Sequence, residues 1–345
     1  MAASLFDLTR KTALVTGATK GIGQAMAVAL AEAGADVIII KGFSPENNTR
    51  EAIEKAGRKC FSYQCNLGDK AAVARLISTV TAEHKNIDIL VNAAGIQHRC
   101  DAENFPLEAY EDIMQVNLSA TFTLCRDMGK YWIEHNMHDR KIINVASLCT
   151  FFGSVRIPAY SMSKGGVGQL TKALSNEWAS KGINVNAIAP GYIATDMIRD
   201  TVTGDPMYLK SITDRIPAGH WGNPEDLKGP TVFLASRASA YITGEILTVC
   251  LSVNHRQDPP VMGPYKCQIC VFYLHLYPRS TVVIMDVDEN CYFTKQGNLT
   301  NVHLCLEPYH LSNFTENPVL VLLHQIGICS EYCTTNATIL LCARI

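Results

Sequence analysis

Residues 11–41 constrain this chain more than any other stretch. Lys11-Thr-Ala-Leu-Val-Thr16 is a short apolar run bounded by glycines, which reads as a buried strand. It runs into Thr16-Gly17-Ala-Thr-Lys20-Gly21-Ile22-Gly23, and then into the alanine-rich segment from Gln24 to Gly34. That segment has helical spacing, with Gly34 placed to cap its end. Ala35-Asp-Val-Ile-Ile-Ile40 reads as a second strand and completes a βαβ unit. A glycine turn between strand and helix has a physical use. Small residues let backbone N–H groups and the helix N-terminus approach a pyrophosphate closely.

The remaining chain repeats the alternation. Cys60–Gln64, Ile87–Val91, Ile142–Ala146 and Ile183–Ala189 read as further strands, with a helix over 70–80 and a long one from Leu107 to His135. Strands and helices alternating at these lengths predict an α/β fold, a doubly wound parallel sheet of Rossmann type. Asn92-Ala-Ala-Gly95 closes one strand, and Pro190-Gly191 closes another. Ligands bind at the carboxyl ends of the strands in such sheets. Asn117 lies inside the long predicted helix, where asparagine is mildly unfavourable, so it is either tolerated there or serves a purpose.

Ser147 follows a strand, and Tyr160 and Lys164 stand four apart in a segment continuing with Val167, Leu170, Leu174 and Trp178. That spacing stacks the phenol and the amine on one helix face. An ammonium beside a phenol lowers its pKa, and the Ser147 hydroxyl can face the phenol and a substrate oxygen. Taken alone, the same spacing is common on amphipathic helix surfaces. Lys41, after the second strand, favours a cofactor 2′-phosphate, as does Lys20 in the glycine loop. The competing reading of Lys41 is a solvated strand end.

Together these motifs resemble the short-chain dehydrogenase/reductase family over roughly residues 7–249. They are Thr16–Gly23, Asn92–Gly95, Asn117, Ser147, Tyr160 with Lys164, and Pro190-Gly191 with Thr195. The resemblance implies an NAD- or NADP-dependent oxidoreductase acting on CH–OH groups. Tyr160 would be the acid/base, with Lys164 tuning it and holding the nicotinamide ribose. Ser147 would orient the substrate oxygen, and Asn117 would support a proton-relaying water. Gly17, Lys20, Gly21, Ile22 and Gly23 would form the pyrophosphate loop. Asn66 and Asn92 would serve the adenosine side, with Lys41 by the ribose. Ile193 and Thr195 would clasp the carboxamide, and Pro190 and Tyr160 would also contact the cofactor. Asn66 departs from the aspartate common in the family, and His220 stands where relatives carry arginine, read here as structural.

Ala94–Arg99, Gly166–Trp178 and Ile193–Met197 are similar to sugar-acid dehydrogenases acting on substrates of the 2-deoxy-D-gluconate type. Gluconate 5-dehydrogenases and 3-oxoacyl thioester reductases are the alternative types. Those sugar-acid relatives usually prefer NAD, against the lean from Lys41, so the cofactor stays open between NAD and NADP. Arg99, with His98, falls near the expected substrate mouth, either to pair with a carboxylate or as a solvated loop charge.

The formal charge of −2 shows no bias toward nucleic acid or an anionic membrane, so the expected partner is a small-molecule substrate. The N-terminus has no basic region leading into an apolar one, and no apolar run reaches the ~20 residues of a bilayer span. A cytoplasmic location is expected. The family resemblance implies a homotetramer or homodimer, if the C-terminus permits.

The resemblance stops at Val249, where relatives continue Asp-Gly-Gly. Of 13 cysteines, eight lie from Cys250 onward, and that shift marks a boundary between a catalytic domain, 1–249, and a cysteine-rich tail, 250–345. In the tail, Cys270–Tyr277, Thr281–Met285 and Val319–Leu323 are β-like. Cys267-Gln-Ile-Cys270 lacks a second pair at zinc-finger spacing, so no metal site is expected. The readings of the tail are translated intron or shifted frame, disordered chain, and a partner-binding appendage. The altered C-terminus leaves another class of function open, a nucleotide-binding or interaction protein with little turnover despite intact Ser147, Tyr160 and Lys164.

Overall fold

The computed structural model describes residues 2–43, 47–196 and 206–250, together with four strands of the tail, 270–274, 281–285, 302–306 and 339–343. Met1–Arg256 and Gln257–Ile345 are two separate compact units. The first holds a seven-stranded, all-parallel sheet in the order β3-β2-β1-β4-β5-β6-β7. The strands are β1 (Thr12–Thr16), β2 (Asp36–Lys41), β3 (Cys60–Gln64), β4 (Ile89–Asn92), β5 (Arg140–Val145), β6 (Ile183–Pro190) and β7 (Ile246–Val249).

Parallel strands need long crossovers, and helices supply them. After the short turn α1 (Ala2–Leu5) come α2 (Gly21–Glu32), α3 (Asn47–Lys55), α4 (Lys70–Glu83), α5 (Leu107–Met114), α6 (Ala120–Glu134), α7 (Pro158–Trp178), α8 (Pro206–Thr213) and α9 (Lys228–Ala235). Among the described residues, no helix is long and apolar enough to cross a membrane.

The apolar strand runs follow from burial on both faces. On β1, Ala13 and Val15 pack with Met26, Ala27 and Leu30 of α2 and Leu234 of α9. Leu14 between them faces the other way, toward Leu76 and Val80 of α4, Leu124 and Met128 of α6, and Trp178 of α7. Val37 and Ile39 alternate with Ile38 and Ile40 in the same manner on β2. Gly34 ends α2 with φ +109°, while the Ala35 N–H reaches back to the Leu30 carbonyl at 2.9 Å. This is a C-terminal cap of the kind glycine permits.

One predicted helix is not continuous. Between α5 and α6 the chain widens into a π-helical turn, Gln115–Ser119, with Asn117 buried at its centre. Single π turns inside α-helices re-aim one side chain inward, and they frequently mark functional sites. In the second unit, β8 (Cys270–Leu274) pairs antiparallel with β9 (Thr281–Met285), and β10 (Val302–Leu306) pairs antiparallel with β11 (Ile339–Ala343). The last two strands went unread in the sequence, and 319–323 lies outside the described residues.

Helix α6 crosses α7 at a glycine. A Cβ on Gly129 would stand 2.6 Å from the Trp178 ring, which is buried. Gly129→Ala therefore trades a propensity gain of about 1 kcal/mol against overpacking. Urea denaturation is expected to show a net loss of roughly 1–3 kcal/mol. A gain in stability would contradict this packing.

Candidate active site

The strand order reverses between β1 and β4, and the crevice between their carboxyl ends gathers most of the predicted site. Gly17 has φ +65°, and a Cβ there would lie 2.7 Å from the Ala94 Cα. The Thr16 hydroxyl accepts hydrogen bonds from the Ala93 and Ala94 N–H groups at 3.1 and 3.2 Å. The glycine loop and the Asn92–Gly95 turn are thus pinned together. A Cβ at Gly23 would come within 2.3 Å of the Gly17 carbonyl oxygen, so the loop folds tightly onto the start of α2.

Lys20 is exposed at the N-cap of α2, and its side chain makes no capping hydrogen bond there. Backbone N–H groups at a helix start, lined by glycine, fit a pyrophosphate. The Ile22 side chain packs on the core, which leaves only its backbone for a cofactor contact. Thr195 lies across the loop, its Cγ2 3.6 Å from where a Gly21 Cβ would be.

Other cofactor candidates fall around this crevice. Lys41 ends β2 and is half-buried. Asn66 is exposed, and its Oδ1 accepts from the Gly68 N–H at 3.0 Å, closing an Asx turn. Pro190 is buried at the end of β6. Ile193 forms an isolated bridge with Gly222 and is buried among core side chains. The flanking Tyr192 carbonyl and Ala194 N–H make that bridge's bonds, at 3.0 and 2.8 Å, so Ile193's own backbone groups point the other way.

Asn92 is buried at the end of β4. Its side chain turns into the sheet, donating to Asn144 Oδ1 at 2.9 Å and to Cys125 Sγ at 3.2 Å. Asn144 in turn donates to Thr171 at 3.0 Å. The amide nitrogen braces β4 against β5 and α6, while its Oδ1 is buried without a hydrogen-bond partner.

The proton-handling groups converge from β5, α7 and the π turn. Ser147 leaves β5 in extended conformation and caps a 3₁₀ turn, Leu148–Thr150, accepting from the Cys149 N–H at 3.2 Å. Tyr160 and Lys164 lie on the first turns of α7, a helix begun by Pro158, whose fixed φ suits a first helical position. The Tyr160 hydroxyl shares a hydrogen bond with Ser147. Asn117 is fully engaged through its amide. Its Nδ2 donates to the Ile96 carbonyl at 3.0 Å and to Ser163 Oγ at 3.1 Å, while its Oδ1 accepts from the Ile96 N–H at 2.9 Å. A water held by Asn117 is left with the second lone pair of Oδ1.

The electrostatics overturn one sequence expectation. Burial pushes the Tyr160 phenol up to about 12, against a lowering by the Ser147 hydrogen bond. Burial also pulls Lys164 down to about 8. The ammonium does not depress the phenol, because Nζ donates to the Val145 carbonyl at 2.6 Å and stands over the ring face, 5.7 Å from its centroid. Desolvation disfavours both charged forms and outweighs their attraction at that separation.

The substrate side is built from loops. Arg99 and Lys164 both act electrostatically on the Cys149 thiol, which burial otherwise raises, and Ser147 and Ser161 hydrogen-bond it. Arg99 therefore lies on the Ser147 side of the site. Its loop is held by the Cys100 N–H bonded to the Arg156 carbonyl at 3.0 Å, and by an Arg156–Asp101 ion pair at 3.0 Å. His98 stands edge-on to Phe105 with centroids 5.5 Å apart. His220 is exposed, with Nδ1 3.0 Å from the Trp221 carbonyl. Sequence reasoning missed Thr16, Ser163 and Thr150. Their hydroxyls sit inside the quoted motifs, but isolated hydroxyls carry no periodicity to reveal them.

Comparison with known proteins follows the same residues. A family model described as enoyl-(acyl carrier protein) reductase matches residues 17–251. A 2-dehydro-3-deoxy-D-gluconate 5-dehydrogenase of Pseudoalteromonas atlantica is 46% identical over 250 residues, covering 71% of this chain and 96% of the relative. The enzyme of the same description from Escherichia coli is 42% identical, covering 72% and 97%. A crystal structure of a gluconate 5-dehydrogenase from Burkholderia cenocepacia, in complex with NADP and tartrate, superposes with a TM-score of 0.67. It is 34% identical and covers 72% of this chain and 97% of its own.

The Lys164 shift makes a pH prediction. A buried amine near 8 in the fold and near 10.4 when unfolded is bound to a proton only in the unfolded state between those values. Stability from this group therefore rises with pH across that window. The difference in unfolding free energy between the wild type and Lys164→Met is expected to move in the wild type's favour from pH 8 to 10. A flat difference would show that Lys164 titrates normally.

Proposed function

The chain belongs to the short-chain dehydrogenase/reductase family, and we propose that it interconverts a secondary alcohol and a ketone of a sugar acid. The observation carrying the substrate class is Arg99. A guanidinium on the Ser147 side of the site suits a carboxylate, which it can bind bidentately. The relatives named for 2-dehydro-3-deoxy-D-gluconate and gluconate, and the neighbour bound to tartrate, support the same class.

NAD or NADP supplies the hydride chemistry in this family. Gly17, Gly21, Gly23 and the backbone of Ile22 would hold its pyrophosphate, with Lys20 and Lys41 favouring a 2′-phosphate. The backbones of Asn92 and Ile193, with Pro190 and Thr195, would line the remaining crevice, and Asn66 its adenine end. In the reducing direction Tyr160 donates its phenolic proton to the carbonyl oxygen, and Ser147 donates a hydrogen bond to the same oxygen. In the oxidising direction Tyr160 takes that proton back. Held near 12, the phenol remains protonated at neutral pH, which suits the donor's role. Lys164, its amine tied to the Val145 carbonyl, would hold the nicotinamide ribose rather than lower the phenol's pKa. Asn117 fixes the Gly95–Ile96 turn against α7.

The catalytic domain is assigned to 1–249 and the tail to 250–345, in a cytoplasmic protein. Leu107 (77% exposed) on α5, Phe122 on α6 and Met162 (54%) on α7 leave apolar surface on three helices. A second copy of this chain would cover it, which supports a homodimer or homotetramer.

Tyr160→Phe is expected to lower turnover of 2-dehydro-3-deoxy-D-gluconate by about 10²-fold or more, with cofactor affinity kept. Turnover that survives the change would remove Tyr160 from proton transfer. Arg99→Met is expected to raise KM for the acid by roughly 10- to 100-fold, and to leave that for an uncharged analogue unchanged. Equal losses on both would exclude a carboxylate contact. A 3-oxoacyl thioester turned over in place of the sugar acid would replace the substrate class.

A further inference from the structure

Thr150 lies outside the group that handles the proton, yet it touches the backbone of two of its members. Its Oγ1 donates to the Lys164 carbonyl at 2.9 Å. The same oxygen accepts from the Ser147 N–H at 3.3 Å. Its methyl packs against α7, where a Cβ on Gly168 would stand 2.4 Å from Thr150 Cγ2. One hydroxyl thus joins the end of β5 to the first turns of α7, at the two residues whose side chains flank Tyr160.

The Lys164 carbonyl lies inside a helix. Within α7 that carbonyl also belongs to the backbone ladder of the helix, so Thr150 uses its second lone pair. The bond carries no helix stability that the ladder does not already supply. It ties Ser147 to α7 through backbone atoms of both, beside the Cys149 thiol, which bridges the side chains of Ser147 and Ser161. The glycine at 168 fits this reading, because any side chain there would displace the Thr150 methyl.

We infer that Thr150 is a positioning residue that sets the Ser147–Tyr160 separation through its bonds to the Ser147 N–H and the Lys164 carbonyl. The inference rests on the proposed proton transfer between Tyr160 and substrate. Hydrogen-bonded catalytic geometry is steep, and a displacement of about 1 Å can cost on the order of 100-fold in rate. Most residues proposed to hold the cofactor, the glycine loop among them, lie on other elements, so its affinity is expected to change little.

The test uses the full chain with NADPH and 2-dehydro-3-deoxy-D-gluconate. Thr150→Val and Thr150→Ala remove the hydroxyl, with and without the methyl packing, while Thr150→Ser keeps the hydroxyl alone. Thr150→Val and Thr150→Ala are expected to lower kcat by roughly 10- to 100-fold, with KM and the Kd for NADPH within about twofold. Thr150→Ser is expected to restore kcat to within about threefold of the wild type. Wild-type kcat in either hydroxyl-free variant, or a serine variant as slow as those two, would overturn the inference. If Thr150→Val does not fold, the alanine and serine variants decide it. Tyr160→Phe separates the two levels. A fully active Tyr160→Phe refutes the proposed reaction, whereas an inactive Tyr160→Phe beside a fully active Thr150→Val refutes only the role of Thr150.

Discussion

Two turns of the sheet touch at Gly17, and the site depends on that contact. A side chain at position 17 would meet the Ala94 backbone at 2.7 Å, in a conformation, φ +65°, that disfavours any residue with a Cβ. Because the glycine is there, the end of β1 and the end of β4 lie side by side, and the Thr16 hydroxyl can accept from both Ala93 and Ala94. Gly95, the next residue, then lies beside the Asn117 amide and the Lys164 amine, which would be 3.4 and 3.8 Å from a Cβ there. A close approach at the cofactor crevice is in this way continuous with the placement of the proton-handling groups. The connection runs through backbone, which is stiffer than any chain of surface side chains.

The second governing feature is burial. The Tyr160 phenol and the Lys164 amine are both pushed toward neutrality, to about 12 and about 8, because the protein takes each out of water. Their mutual attraction is too weak to reverse either shift, since the amine faces the Val145 carbonyl and the ring face rather than the hydroxyl. This gives a donor that is fully protonated at neutral pH and an ammonium whose charge is easily lost above it. The same low-dielectric setting strengthens the Tyr160–Ser147 hydrogen bond and lets Arg99 and Lys164 act on Cys149.

Much of this was legible in the sequence, for reasons that differ by element. Strands β1, β2, β4, β5 and β6 are buried on both faces, so their apolar runs stand out without alternation, and the glycine loop between β1 and α2 needs its residues for steric reasons. The Tyr160–Lys164 spacing survives because α7 is regular from Pro158 to Trp178. The π turn was not legible. Residues 107–135 carry helical spacing throughout, and nothing in that pattern shows one inserted residue, although the awkward Asn117 hinted at it. The direction of the Asn92 side chain was not legible, because a motif gives the position of a residue and not the face its side chain takes. The direction of the Tyr160 shift was misjudged for a related reason: spacing brings an amine near a ring, but only coordinates show what the amine is bonded to. Thr150 and Ser163 were invisible because a hydroxyl's role depends on partners far along the chain.

Binding of the reduced nicotinamide nucleotides to the full 345-residue chain, NADPH and NADH titrated side by side, tests the central claim most directly. The site assembled around Gly17 predicts saturable binding of at least one of them below about 1 mM, with NADPH the tighter if Lys20 and Lys41 meet a 2′-phosphate. Saturation by neither would contradict the nucleotide site, and with it the dehydrogenase reaction proposed for this chain.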